Sequence, residues 1–109
     1  MPTAYKVLGQ SAPAATTATT LYTVPSATET VVSTIAVTNR AATAATFRIA
    51  VRPDGATLAN EHYITFDAPI SANDSLFITV GATANTADVI TVYASTANLS
   101  FTAFGSEIS

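Results

Sequence analysis

The sequence predicts an all-β fold, a compact antiparallel β-sandwich of jelly-roll or Ig-like type with about eight short strands. Three observations lead there. Several stretches alternate in polarity with period two, as half-buried strands do. Clusters of Gly, Pro, Asn, Asp and Ser separate these stretches at short intervals. The Ala-rich runs at 12–18 and 82–87 carry no apolar stripe at helical spacing and are spoiled by threonines and by Pro13 or the nearby Gly81.

Taken in order, weaker strand signals cover residues 5–8 and 19–24, with a turn at Gly9-Gln10-Ser11 between them. Residues 11–20, SAPAATTATT, hold no large side chain and read as a surface loop or arm. An arm of this kind has the alternative of becoming ordered on a neighbouring subunit. Val31, Ser33, Ile35 and Val37 then alternate with Val32, Thr34, Ala36 and Thr38, a strand with two mildly polar faces. Phe47, Ile49 and Val51 alternate with Thr46, Arg48, Ala50 and Arg52, which places both arginines on the outer face of a half-buried strand. Pro53-Asp54-Gly55 is a tight turn whose glycine is free to take positive φ.

A weaker strand follows at 62–66. Leu76, Ile78 and Val80 alternate with Phe77 and Thr79 up to a turn signal at Gly81. Ile90, Val92 and Ala94 alternate with Val89, Thr91 and Tyr93, and Leu99, Phe101 and Ala103 with Ser100, Thr102 and Phe104.

The 109 residues amount to one domain, 1–109. Charged residues make up only 10% of the chain, against the quarter or so of an ordinary domain, and the net charge is −3. Lys6, Arg40, Arg48 and Arg52 do not form the basic stripe that nucleic-acid binding needs. With no cysteine there is neither a disulfide framework nor a thiolate site. Met1-Pro2-Thr3-Ala4 lacks the features of a signal peptide, and no stretch has the ~20 apolar residues of a membrane helix. The expectation is a soluble protein made in a cytoplasm, without membrane or nucleic-acid partners.

Chemistry has few footholds. His62 is the only histidine, and its neighbour Glu61 would point to the opposite face of a strand. No G-x-S-x-G elbow exists. The carboxylates Glu61, Asp67 and Asp74 lack the tight spacing of a calcium loop, and Asn73-Asp74-Ser75 suits a turn better. That tripeptide and Asn98-Leu99-Ser100 match the glycosylation pattern as Ser/Thr-rich chains do by chance. The reading is a non-enzyme with no metal or cofactor.

Arg48 and Arg52 share a strand face at about 13 Å. With Tyr63 they are the candidate protein-contact residues, because Arg and Tyr are enriched at interfaces; Tyr5, Tyr22 and Tyr93 could join them. The uncharged windows at 31–38 and 89–94 would be aggregation hazards on a free edge. Cover by other subunits would resolve this, which predicts a homo-oligomer, a trimer being favoured.

The blocks A-Y-K-V-L-G-Q (4–10), F-R-I-A-V-R-P (47–53), H-Y-I-T-F-D (62–67) and V-Y-A-S-T-A-N-L-S-F-T-A-F-G-S-E-I (92–108) resemble small virion structural proteins of tailed phages, cyanophages especially. The resemblance spans nearly the whole chain and implies a virion component of β-sandwich type. Within that class the favoured role is a capsid decoration (cement) protein that binds the major capsid protein and stabilises the shell. The alternative is a tail, baseplate or fibre component contacting other virion proteins. A carbohydrate-binding module or small enzyme is disfavoured by the missing Trp and the missing polar cluster.

Overall fold

β-Branched residues and short turns produce strands throughout. The computed structural model describes residues 3–109. Its strands are β1 (Thr3–Ser11), β2 (Thr19–Thr23), β3 (Glu29–Asn39), β4 (Ala45–Arg52), β5 (Tyr63–Ile70), β6 (Ser75–Ala84), β7 (Val89–Ala94) and β8 (Leu99–Ile108). Two 3-10 turns, Pro53–Gly55 and Asn60–His62, lie between β4 and β5. The strands form two four-stranded antiparallel sheets, β1-β8-β3-β6 and β2-β7-β4-β5. The pairs β1·β8, β2·β7, β3·β6 and β4·β5 are those of one long hairpin with its tip between β4 and β5. Rolling that hairpin up gives a jelly roll, which decides between the two sandwich types the sequence leaves open.

The core lies between the sheets. Phe47 of β4 meets Phe101 of β8 edge to face, with ring centroids 6.1 Å apart. Ile35, Val37, Ile49, Ile90, Val92 and Leu99 fill the space around them. Phe47 and Ile49 sit on the inner face that their alternation with Arg48 and Arg52 predicts.

Strand β3 departs from a simple alternation. Val32 is buried and Val31 only half buried, whereas from Ile35 onward the odd-numbered residues face inward. Between Val32 and Thr34 the strand gains Ser33 relative to β8, and this bulge inverts the phase. Gly81, a turn signal in the sequence, likewise lies inside β6, where it takes φ +60° opposite the same irregularity. β5 runs on past Phe66 through Pro69, because an edge strand can do without one ladder N–H. Gly105 answers a different need: a Cβ there would collide with the Val31 carbonyl oxygen, so the backbones of β8 and β3 approach closely only with glycine at this point.

The two uncharged windows are not free edges. β3 is flanked by β8 and β6, and β7 by β2 and β4. The sheet itself covers them, so the expectation that neighbouring subunits do so loses its basis. The true edges are β1, β2, β5 and β6, and each carries a bulge. The loop joining β1 to β2, within the low-complexity run, packs on its own domain: Pro13 is buried and the Thr16 N–H donates to the Ala94 carbonyl at 2.8 Å.

One end of the sandwich is closed by a polar network. The Tyr22 hydroxyl on β2 bonds Thr30 Oγ1 and donates to Glu107, whose other carboxylate oxygen accepts from Lys6 Nζ at 2.9 Å. The Tyr22 and Lys6 bonds hold the Glu107 carboxyl below the usual range, while burial, reinforced by Glu107, pushes Tyr22 up to about 12. A depressed carboxylate stabilises the fold above its unfolded pKa and loses that contribution as pH falls through the folded value. A raised tyrosine contributes fully below about pH 10 and loses its contribution as pH rises toward about 12. Thermal melts across pH should therefore show a plateau bounded on both sides. Tyr22→Phe should lower stability at neutral pH by about 1–2 kcal/mol, by leaving Glu107 and Thr30 short of a partner, and soften the alkaline fall. An unchanged profile in that variant would remove the network from the account.

Candidate functional site

Arg48 stands on the outer face of β4, directly opposite Tyr93 of β7. On its other side β4 advances from Phe47 to Ile49 while β5 advances from Ala68 to Thr65, so Phe66 and Asp67 together oppose one arginine. Asp67 takes φ +50°, a conformation that Asp tolerates better than most side chains. This bulge aims both side chains at the guanidinium. Arg48 Nε donates to Asp67 Oδ1 at 2.7 Å and Nη2 to Oδ2 at 3.4 Å.

The Phe66 and Tyr93 rings lie on the guanidinium, with their centroids 4.1 Å and 4.3 Å from Cζ. Tyr63 meets Phe66 edge to face at 5.0 Å. The Asp67 bond raises the Arg48 pKa above its ordinary value. The result is a fixed patch of stacked rings and one neutralised ion pair, with Phe66 still 55% exposed and Ile64 50% exposed beside it.

Such a patch is suited to contact. An exposed ion pair contributes little by itself, and each cation–π contact about 0.5–1 kcal/mol. Their main effect is to hold Phe66, Tyr63 and Tyr93 in one arrangement. Arg48→Ala should move the denaturant midpoint only slightly and leave the fold intact. A collapse of the unfolding transition in that variant would make Arg48 a core element instead.

The structure brings two of the three predicted contact residues, Arg48 and Tyr63, into one cluster. Arg52 lies further along the same face, opposite Val89, and makes none of these contacts. Its Nε is buried without a hydrogen-bond partner among the described residues, as is Thr91 Oγ1. Tyr93 joins the cluster, whereas Tyr22 belongs to the polar network at the end of the sandwich and Tyr5 lies exposed on the other sheet.

His62 precedes β5, in the turn Asn60–His62, and its Nδ1 accepts the Ala59 N–H at 3.0 Å. Asp67 is engaged with Arg48, and Asp74 accepts the Ser75 N–H at 2.8 Å, the turn duty expected of it. Among the described residues no group of three His, Cys, Asp or Glu side chains could hold a metal ion. No helix among the described residues is long and apolar enough to cross a membrane. Asp54 and Gly55 both take positive φ in the turn after β4, and the Asp54 N–H donates to Asp88 Oδ1 at 2.8 Å.

Two participants escape a reading of the sequence alone. Phe66 and Asp67 are adjacent, and strict alternation sends adjacent side chains to opposite faces. Only the bulge allows both to reach Arg48. A carboxylate next to an aromatic at the end of a strand signal is the one hint the sequence offers. A scan against protein-family models finds no match to this chain, and a search of the curated proteins finds none either.

Proposed function

We propose that this protein is a structural component of a tailed-phage virion, a capsid decoration protein that binds the assembled shell and stabilises it. The observation that carries this reading is where the exposed large apolar side chains lie. Tyr5, Val7, Phe77 and Phe104 are on strands of one sheet, and Ile64 and Phe66 on a strand of the other. Ligand-binding proteins concentrate such groups on loops or in clefts. Rings on rigid strands suit contact with flat neighbouring surfaces. The sequence resemblance to small phage virion proteins supports the same reading, and jelly rolls are a recurrent architecture of viral particles.

The mechanism is mass action. A protein that binds the mature shell and not its precursors stabilises that state as its sites fill. Each contact can be weak where several act together. The Arg48 cluster with Phe66, Tyr63 and Tyr93 is the proposed contact patch toward the major capsid protein, with Arg52 at its margin.

Quantitative mass spectrometry of purified particles tests the assignment. A copy number in simple ratio to the major capsid subunit is the expected result. A much smaller number would move the protein to the tail or baseplate, and complete absence from particles would overturn the virion reading. Phe66→Ala should reduce occupancy on the shell far more than it lowers the melt of the free protein, where it removes only the contacts to Arg48 and Tyr63.

A further inference from the structure

The four sheet edges are not equally protected. β1 carries Lys6 and a bulge at Leu8, and β2 is short and bulged at Leu21. β5 is bulged twice and holds both Asp67 and Pro69. These are the usual defences against edge-to-edge pairing. β6 is different. Its residues Ser75–Ala84 include no charge and no proline, and its bulge comes late, at Val80 and Gly81, so residues 75–79 form a regular open edge.

The direction of the backbone groups along that edge follows from one bond. The Asn39 N–H donates to the Asp74 carbonyl, which turns Asp74 toward β3. Alternation along an antiparallel ladder then turns Leu76 and Ile78 toward β3, and Phe77 and Thr79 toward the open side. The Ser75 N–H is held by its neighbour Asp74, which leaves the Ser75 carbonyl and the N–H and C=O of Phe77 and Thr79 facing outward. The Phe77 side chain is 70% exposed on the outer sheet face.

We infer that β6 pairs with β6 of a second copy of this chain, antiparallel about a two-fold axis through Phe77. Each Phe77 exchanges N–H and C=O with Phe77 of the other copy, and the two rings stand side by side on the outer face. The Thr79 N–H meets the Ser75 carbonyl of the other copy. A second copy is the fitting occupant because an antiparallel strand is its own complement in donors and acceptors. The edge also carries no charge to repel itself, although the whole chain has a net charge of −3. The pairing joins two four-stranded sheets into one continuous sheet. Confined to residues 75–79, it falls at the small end of specific interfaces, below about 1,200 Å² in total. The dimer is therefore weak and concentration-dependent, and it rests on edge geometry whether or not the chain resides in a particle.

The chain has no cysteine, so a single introduced one reports its own neighbourhood. Across a hydrogen-bonded antiparallel pair the Cα atoms lie about 5.5 Å apart, within disulfide reach. Phe77→Cys, oxidised at ~50 µM protein, should cross-link to a dimer, while Phe66→Cys on the other sheet should stay monomeric under conditions suited to a weak complex. Sedimentation of the cysteine-free protein should show reversible dimerisation over the same range, weakened at least tenfold in Phe77→Lys, with the circular dichroism of that variant unchanged. Equal cross-linking at positions 66 and 77, no cross-linking at 77, or dimerisation unaffected by Phe77→Lys would each overturn the pairing.

Discussion

Phe101→Ala is expected to cost about 4 kcal/mol, the largest effect of any single truncation considered. Phe101 is fully buried, stacks edge to face on Phe47 across the sheets, and sits on the central strand β8. Truncation removes both the transfer free energy of the ring and its contacts with Phe47, and leaves a void that the surrounding β-branched residues, stiff at χ1, cannot close. Domains of this size have only about 5–15 kcal/mol in total, so the variant should unfold at a much lower denaturant midpoint with an unchanged slope. Phe104→Ala provides the contrast. It lies three residues along the same strand but faces outward and stays partly exposed, so its cost should be within about 1 kcal/mol. Similar costs at the two positions would mean that the inner face has been assigned wrongly.

Asn39→Ala should cost about 3 kcal/mol, although the residue is small and polar. Asn39 ends β3 and is buried. Its amide Nδ2 donates to the Thr43 carbonyl at 2.8 Å and the Ser71 carbonyl at 3.2 Å, and its Oδ1 accepts the Ala41 N–H at 3.0 Å. One side chain thus ties the β3–β4 turn to the β5–β6 turn. Alanine leaves these backbone groups without partners in a region that water reaches poorly, and an unsatisfied buried group costs about 1–3 kcal/mol. Asn39→Asp keeps an acceptor for Ala41 but loses both donated bonds and buries a charge facing two carbonyls, so it should be at least as damaging. Amide hydrogen exchange at Ala41 gives a local reading: it should quicken in Asn39→Ala beyond what the global loss explains. Protection equal to that of the parent protein would show that the turns hold without the side chain.

Most of the architecture was legible because burial and strand periodicity coincide. β7 appears at the residues its alternation marks, and in β4 Phe47, Ile49, Arg48 and Arg52 take the predicted faces. The reading failed wherever a bulge broke the period. Ser33 inverted β3, Gly81 became a strand residue, and Phe66 and Asp67 came to share a face. A bulge is one unpaired residue whose position depends on the neighbouring strand, so a single strand's sequence does not locate it. That residues 31–38 and 89–94 lie inside the sheets is hidden from the sequence for a related reason. Uncharged, β-rich windows are what an interior strand requires, and only pairing partners tell an interior strand from a bare edge.

By itself the sequence determined the fold class, the number of strands and, where the period runs unbroken as in β4, the inward apolar face, because these follow from local chain geometry and from the transfer of apolar surface out of water. It also placed Arg48 and Arg52 on an outer strand face and singled them out, with Tyr63, as candidate contact residues. The tertiary structure decided the jelly-roll strand order, the bulge that delivers Phe66 and Asp67 to Arg48, the burial of Asn39 and the one edge left without a guard. Each of these depends on which strands become neighbours, a relation between residues far apart in the chain that no local pattern encodes.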